Sequence, residues 1–141
     1  MISYQDYKHS IPIQIRFSDI DKLGHVNNAC YLNYFELGRV FYLNNLLVET
    51  NNWTEYGFVL ARTELDYIDS ILLPHKIYCC TKVIKIGTKS LVTKSVLIKE
   101  IENGYMECAS ANFTLVAMNY IENKSMAVPD KWRKLIEDFE K

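Results

Sequence analysis

Two sequence patterns predict most of the regular structure of this chain: alternation of apolar and polar positions, and stretches rich in β-branched residues. Residues 11–17 alternate apolar and polar positions well enough to form a first strand. Four later stretches are rich in Val, Ile, Thr and Tyr and are bounded by turn residues, a composition typical of strands. They cover residues 58–69, 76–86, 90–100 and 105–120. Together these stretches predict an antiparallel sheet of about five strands.

A long helix is predicted over residues 29–47, between the first strand and the remainder of the sheet. Apolar residues occupy most of its circumference, and Asn33, Glu36 and Arg39 form one polar line at three-residue steps. This pattern predicts a helix that is buried on nearly all sides, with Glu36 and Arg39 spaced to pair. A short second helix is predicted to start at Pro129 and to pack on the margin of the sheet.

Two tight turns connect the predicted strands of the second half. Residues 87–89 separate two strand patterns, and Asn103-Gly104 is a strong signal for a type I′ hairpin. The strands then form a meander, and one sheet has to cover one long helix. The sequence therefore predicts an α+β domain spanning residues 1–141.

Composition narrows the possible classes of function. The chain has 141 residues, 49% of them hydrophobic and 23% charged, which suits one compact globular domain. A formal net charge of -1 gives no general attraction to nucleic acid. The N-terminus lacks a secretory signal pattern, and polar residues interrupt the apolar run of the helix. We therefore expect a soluble, cytoplasmic protein with no nucleic-acid or membrane partner.

The cysteines and histidines do not suggest a disulfide framework or a metal site. The four cysteines show no C-x-x-C spacing, and the adjacent Cys79 and Cys80 should point to opposite faces of a strand. His9 and His75 share no metal-ligand spacing with His25. We expect buried, reduced thiols and no metal.

The polar turn before the long helix carries the candidate chemistry. Asp21 precedes Gly24, His25, Asn27 and Asn28, directly before the apolar helical run. Backbone N–H groups at a helix start are unpaired and carry partial positive charge. An aspartate beside them supplies a base or nucleophile, and the N–H groups can stabilise a carbonyl oxygen that gains negative charge. These are two parts of an acyl-transfer site.

Residues 16–39 also resemble a known family. Their order, D-x-D-x-x-G-H-V-N-N-x-x-Y-x-x-Y-F-E-x-x-R, resembles the hotdog-fold acyl thioesterases of the 4-hydroxybenzoyl-CoA thioesterase-like superfamily. That resemblance implies a hotdog fold, in which a long antiparallel sheet wraps around a central helix. The predicted order of elements agrees with this architecture.

The resemblance also implies roles for residues of the polar turn. Asp21 matches the catalytic carboxylate and could attack the thioester carbonyl or take a proton from water, and the alternative is a simple turn cap. The backbone N–H near Asn28 should polarise the carbonyl. Asn27 could both cap the helix and bind substrate. His25 suits proton transfer, but related families differ at this position. Asp19 is expected to shape the loop.

Further binding residues are suggested at two places. Tyr31 could line the acyl cavity, although an aromatic residue at helical spacing is also typical of a core. The turn with Lys89 and Ser90 resembles a family segment near coenzyme A, so Lys89 could meet a phosphate and Ser90 a polar group. The chain departs from the family pattern P-x-x-x-G-D at residues 71–76, where the substrate entrance could differ.

The combined prediction is a thioesterase that acts on acyl-CoA or acyl carrier protein. No cofactor is expected beyond coenzyme A as part of the substrate. The resemblance implies a homodimer with sites at its interface, or a dimer of dimers. Two alternatives stay open: a hotdog hydratase or dehydratase that depends on His25, and a non-catalytic protein that binds acyl thioesters.

Overall fold

A computed structural model describes residues 2–49 and 52–141, which form one six-stranded sheet and two α-helices. A short 3-10 helix spans Phe17–Asp19. The elements in chain order are β1 Ser10–Ile13, α1 Asn28–Leu47, β2 Tyr56–Tyr67, β3 Ile77–Ile86, β4 Ser90–Ile101, β5 Gly104–Asn119, β6 Lys124–Ser125 and α2 Asp130–Glu140.

The sheet has the order β1-β3-β4-β5-β2, with every pair antiparallel, and β6 pairs with the end of β5. The helix α1 packs across β3 and β4 and also contacts β1. A long antiparallel sheet on one central helix is the hotdog fold, so the predicted fold class is confirmed. The two-residue strand β6 was not predicted, because two residues carry no periodic signal.

The first strand is shorter than its pattern indicates. β1 ends at Ile13, whose partner Ile77 is the first residue of β3, so no described strand lies opposite the residues that follow. Arg16 and Asp19 instead bond to each other: the Arg16 N–H donates to Asp19 Oδ2 at 3.0 Å, and the Asp19 N–H donates to the Arg16 carbonyl at 2.9 Å. Local side-chain bonding of this kind competes with strand pairing.

One of the two predicted turns is correct and the other is wrong by one residue. The turn over residues 87–89 is confirmed, with the Gly87 N–H donating to the Ser90 carbonyl at 2.7 Å. In the next hairpin Ile101 pairs with Gly104, so the turn residues are Glu102 and Asn103. Neither has a positive φ, whereas a type I′ turn requires one at both central positions.

The helix α1 begins one residue before its predicted start and ends as predicted. Its buried side faces the sheet, but Leu32, Leu37, Val40 and Phe41 on the outer side are 42–50% exposed. The prediction of burial on nearly all sides is therefore wrong for this chain alone, since one sheet covers one side of a helix. An apolar outer surface on α1 remains uncovered.

Two apolar clusters fill the space between α1 and the sheet. The first surrounds Phe35 near the start of α1, and the second surrounds Tyr42 near its end. The second cluster includes Trp132 and Ile136 of α2 together with Val83 of β3, so α2 packs on the sheet as predicted. Four buried polar or charged residues lie between the clusters, one on α1 and three on the face of the sheet that α1 covers. They are Arg39, Thr81, Thr93 and Ser95, here called the polar belt.

Adjacent cysteines occupy opposite faces of β3, as predicted. Cys79 belongs to the first apolar cluster under α1, and Cys80 belongs to a separate cluster on the other face of the sheet.

Within the described ranges, no helix is long and apolar enough to cross a membrane.

Candidate active site

The loop that leads into α1 is closed by backbone hydrogen bonds. The Asp21 N–H donates to the His25 carbonyl at 2.8 Å, and the Gly24 N–H donates to the Asp21 carbonyl at 3.0 Å. Gly24 has a φ of 81°, in the left-handed region that glycine adopts without steric cost. The Val26 N–H then donates to the Ile71 carbonyl at 2.8 Å and fixes the loop to the rest of the protein.

The Asp21 carboxylate is half-buried and oriented by its own loop. Its Oδ1 atom accepts hydrogen bonds from the Leu23 N–H at 2.9 Å and the His25 N–H at 3.4 Å. Its Oδ2 atom accepts none from the described residues. Asp21 therefore shapes the turn with one oxygen and leaves the second oxygen for another group.

Asp19 differs from Asp21 because its carboxylate is buried and saturated. Its oxygens accept hydrogen bonds from the Tyr34 hydroxyl at 2.6 Å, the Arg16 N–H at 3.0 Å and Arg16 Nη2 at 3.1 Å. Burial raises the pKa of Asp19, but the hydrogen bonds from Tyr34 and Arg16 outweigh it and hold the pKa below its usual value. The Asn27 N–H donates to the Asp19 carbonyl at 2.8 Å, so Asp19 ties the loop to the helix start.

The start of α1 presents a backbone N–H beside this loop. Asn27 is the N-cap, and its Oδ1 accepts from the Ala29 N–H at 2.9 Å. The Asn28 N–H at the first helical position has no acceptor within the helix, and the Asn27 side chain does not take it up. The side chains of Asn27 and Asn28 are both exposed. The helix dipole adds partial positive charge at this point.

Tyr67, which no sequence pattern indicates, contacts the same helix start. Its hydroxyl donates to the Asn28 carbonyl at 2.9 Å, and its ring meets Tyr31 edge-on with ring centroids 5.0 Å apart. Tyr31 itself is buried, its hydroxyl donates to the Asp69 carbonyl at 3.4 Å, and burial raises its pKa to about 12. No local signal points to Tyr67, because it lies at the far end of β2.

The predicted site residues fall into two groups in the single chain. Asp21, His25, Asn27 and Asn28 lie together around the loop, and Tyr31 lies one turn into α1. The turn with Lys89 and Ser90 instead packs near α2: Gly87 accepts from Arg133 Nη2 at 2.8 Å, and the Val128 N–H donates to the Thr88 carbonyl at 2.8 Å. It lies near the opposite end of α1, a helix of 20 residues and roughly 30 Å.

Uncovered apolar side chains flank the Asp21 loop. Phe17 is 85% exposed and Leu23 is 80% exposed. Large apolar side chains at such exposure in one region are typical of a binding or association surface. A cavity of about 440 Å³ opens nearby, with Arg16, Asn33, Tyr34, Glu36 and Val40 among its lining residues.

In the part of the chain that the structure describes, no group of three or more His, Cys, Asp or Glu side chains could hold a metal ion.

Known proteins of similar sequence support a relation to thioesterases. The uncharacterized protein YsmA of Bacillus subtilis is 28% identical over 92 residues, which are 62% of each chain. The chloroplastic acyl-acyl carrier protein thioesterase ATL2 of Arabidopsis thaliana is 35% identical over 57 residues, 40% of this chain and 30% of the plant protein. The matched part of this chain thus spans less than two thirds of the length of these relatives.

Solved structures match over nearly the whole chain. A thioesterase from Thermus thermophilus, complexed with coenzyme A and Zn, has a TM-score of 0.84 and 28% identity, and 97% of each chain is covered. The PA2801 protein of Pseudomonas aeruginosa has a TM-score of 0.80 and 29% identity, over 92% of this chain and 98% of its own.

The match to a family profile is equally extensive. Residues 15–136 match the profile of the Thioesterase-like superfamily. This range includes the Asp21 loop, α1, the strands from β2 to β6 and most of α2. The chain belongs to the Thioesterase-like superfamily.

Proposed function

We propose that this protein hydrolyses acyl thioesters to a carboxylic acid and a thiol. The observation that carries the proposal is the oriented Asp21 carboxylate, which keeps Oδ2 unpartnered among the described residues next to the start of α1. Membership of a thioesterase superfamily supplies the reaction class. Asp21 provides the reacting oxygen and the Asn28 N–H receives the carbonyl oxygen.

Two routes of thioester hydrolysis suit this arrangement. In both of them the carbonyl oxygen becomes negatively charged and is stabilised in the same way. As a base, Asp21 takes a proton from water while the water oxygen bonds to the carbonyl carbon, after which the C–S bond breaks and the thiolate leaves. As a nucleophile, Asp21 forms an acyl anhydride and expels the thiolate, and water then hydrolyses the anhydride. In both routes the Asn28 N–H and the helix dipole stabilise negative charge on the carbonyl oxygen.

The proposed substrates are thioesters of coenzyme A or acyl carrier protein. One similar structure is a thioesterase complexed with coenzyme A, and the plant relatives are acyl-acyl carrier protein thioesterases. No cofactor is proposed beyond the thiol carrier of the substrate. Asn27 and His25 border the reacting group, and Tyr31 supports it from the core.

A homodimer is part of the proposal, and a dimer of dimers is a further possibility. Along residues 58–64, most side chains of β2 are exposed, and no described strand lies on the outer side of this strand. The outer side of α1 is apolar and uncovered. Pairing of two copies along β2 extends the sheet and buries such surfaces. Lys89 and Ser90 are remote from Asp21 within one chain. In the proposed dimer, Lys89 and Ser90 of one copy contact the substrate that is bound at Asp21 of the other copy.

The decisive experiment measures thiol release from a panel of acyl-CoA and acyl carrier protein thioesters. The proteins compared are wild type, Asp21→Asn, and Asp138→Asn as a control that alters an exposed aspartate on α2. Asparagine keeps an oxygen for the Leu23 and His25 N–H groups, so the loop should persist. We expect Asp21→Asn to lose roughly 100-fold or more in rate, and Asp138→Asn to match wild type.

Other outcomes would identify the alternatives. Tight acyl-CoA binding without thiol release from any substrate would indicate a non-catalytic binding protein. Hydration of an enoyl thioester, lost in His25→Gln but kept in Asp21→Asn, would indicate a hydratase. Equal thiol release by Asp21→Asn and wild type would remove Asp21 from the reaction.

A further inference from the structure

A second cavity, of about 470 Å³, lies between α1 and the strands β2 and β5. It shares Glu36 and Val40 with the 440 Å³ cavity that reaches Arg16, so the two cavities meet along α1. Most of its wall is apolar. The lining includes Arg39, Leu43, Trp53, Phe58, Leu60 and Leu115.

Arg39 is a charged side chain in this wall and is only 9% exposed, whereas Glu36 is exposed. Its guanidinium lies over the Phe113 ring, 4.8 Å from the ring centroid. None of the ion pairs within the described ranges involves Arg39, so the predicted pairing with Glu36 is not formed. Its Nη1 group is buried and finds no acceptor among the described residues. A buried cation without an acceptor is costly to maintain.

Two further unpartnered polar groups belong to the same region. The Trp53 Nε1–H, on the cavity wall, is buried and has no acceptor among the described residues. The Thr93 hydroxyl is also buried and unpartnered in that part of the chain, and Thr93 lies opposite Phe113 in the sheet. Buried polar groups in proteins are nearly always paired. Arg39 and Trp53 therefore indicate a hydrogen-bond acceptor that the described residues do not supply.

The position of Arg39 relates this cavity to the proposed reaction centre. Asn28 and Arg39 are eleven residues apart in α1, which places them on one side of the helix and about 16 Å apart along its axis. The reacting carbonyl at Asn28 is too far away to contact Arg39. The distant end of an acyl chain that follows the two adjoining cavities along α1 can reach it.

We propose that this cavity binds the distant end of the acyl group, and that this end carries an oxygen acceptor bound by Arg39 and Trp53. This inference rests on the proposed thioester hydrolysis and names its substrate class. A terminal carboxylate suits the site best, because it only accepts hydrogen bonds, offers two oxygens and neutralises Arg39. Glu36 is exposed at the rim, where water screens its repulsion. A terminal hydroxyl offers the same acceptor chemistry without charge.

The test compares three acyl-CoA thioesters of equal chain length that end in a carboxylate, a hydroxyl or a methyl group. We expect wild type to hydrolyse one of the oxygen-ended substrates with a kcat/KM at least tenfold above that of the methyl-ended one. If the carboxylate-ended substrate is preferred, charge pairing with Arg39 dominates the recognition of the acyl end. If only the hydroxyl-ended substrate is preferred over the methyl-ended one, the site binds a neutral acceptor. Equal or better hydrolysis of the methyl-ended substrate overturns the inference.

Variants assign any preference to this cavity. Arg39→Met should reduce the selectivity to near unity or reverse it, whereas Lys131→Met, which removes an exposed cation on α2, should leave it unchanged. Trp53→Phe keeps an aromatic ring and removes only the N–H, so it remains informative if Arg39→Met does not fold. We expect it to lower the selectivity several-fold. Unchanged selectivity in Trp53→Phe and in a folded Arg39→Met contradicts the assignment.

Calorimetry separates this inference from the proposed hydrolysis. Asp21→Asn should bind the preferred oxygen-ended acyl-CoA at least tenfold more tightly than the methyl-ended one. If no thioester is hydrolysed but this binding preference is found, the proposed function fails and the acceptor site stands. If thioesters are hydrolysed but the preference is absent, the acceptor site fails and the proposed function stands.

Discussion

At the scale of single residues, environment separates two aspartates that look alike in sequence. Asp19 is buried and its carboxylate accepts hydrogen bonds from Tyr34, Arg16 and the Cys30 thiol, whereas Asp21 is half-buried and keeps one oxygen unpartnered among the described residues. A carboxylate with saturated acceptors stabilises structure, and one with a spare oxygen can react. We therefore expect substitutions of Asp19 to act on stability and those of Asp21 to act on rate.

Asp19→Asn should lower the free energy of unfolding by about 1–3 kcal/mol at pH 7. The pKa of Asp19 is lowered in the folded protein, so the ionised Asp19 carboxylate stabilises the folded state. This stabilisation is complete above the pKa of the unfolded chain, about 3.9. It is lost as the pH falls through the lower pKa of the folded protein. Urea unfolding at pH 7 and pH 3 should show that wild type loses more stability on acidification than Asp19→Asn. Tyr34→Phe, which removes one donor, should give an intermediate result. Equal acid sensitivity of wild type and Asp19→Asn would contradict this view.

At the scale of elements, the close approach of α1 to the sheet depends on one glycine. A Cβ atom on Gly38 would lie 2.3 Å from Cys79 Sγ and 3.1 Å from Thr81 Oγ1. Both neighbours are fully buried side chains of β3 and cannot move aside into solvent. Gly38 therefore sets the distance at which the polar belt and both apolar clusters form.

Gly38→Ala should destabilise the protein by roughly 1–3 kcal/mol or more through overpacking, although alanine by itself favours a helix by about 1 kcal/mol. Chemical denaturation of Gly38→Ala, Cys79→Ala and the double variant forms a double-mutant cycle. Because Cys79→Ala removes the clashing sulfur, the double variant should be more stable than the sum of the single effects indicates. Strict additivity would show that the sulfur contact is not the cause.

A buried histidine, His9, packs against Tyr42 of α1, and Tyr42 in turn bonds to the end of α2. Neither ring nitrogen of His9 has a partner among the described residues, and its ring meets Tyr42 edge-on with centroids 5.4 Å apart. The Tyr42 hydroxyl donates to Glu140 at the end of α2 at 2.5 Å. Burial lowers the pKa of His9. The neutral imidazole therefore belongs to the folded state, and protonation opposes folding.

Acidification below about pH 6.5, the ordinary histidine pKa, should therefore weaken the folded state of wild type. The unfolded chain takes up a proton there, whereas folded His9 takes it up only at lower pH, so the stability falls as the pH decreases. His9→Phe, which keeps an aromatic ring against Tyr42, should show less loss between pH 7 and pH 5.5 in thermal unfolding. An identical loss in both proteins would exclude His9 as the source.

At the scale of the whole molecule, the single chain leaves an open edge and an apolar helix surface. Leu60 on β2 is 48% exposed, and Val40 and Phe41 on α1 are 42% and 50% exposed. Proteins usually protect an edge strand of this length, because its unpaired backbone groups can recruit another chain. Association of two copies along β2 is the simplest way to satisfy this edge.

Light scattering at micromolar concentration should therefore give at least twice the chain mass of 16.5 kDa. Leu60→Lys, which places a charge on the β2 edge, should shift the protein toward monomer. Ile84→Lys is a matched control, since Ile84 is 49% exposed on β3 and lies away from that edge. A monomeric wild type, or equal dissociation of both variants, would contradict the proposed interface.

The sequence by itself determined the features that depend on neighbouring residues. Strand periodicity located four of the main strands to within about two residues. Capping by Asn27 and the glycine bend at Gly24 are also local, so the candidate loop and the start of α1 were predictable together. The same local order resembled a known family and therefore indicated the hotdog fold.

The tertiary structure decided what depends on distant segments. β1 stops at Ile13 because β3 starts opposite it, and Arg39 lies over Phe113 of β5 although Glu36 is nearer in sequence. Tyr67 reaches the start of α1 from the end of β2. Periodicity shows which face of an element is apolar but not which partner covers it. Only the packing of the sheet on α1 left Arg39 buried without an acceptor among the described residues and the outer side of the helix open.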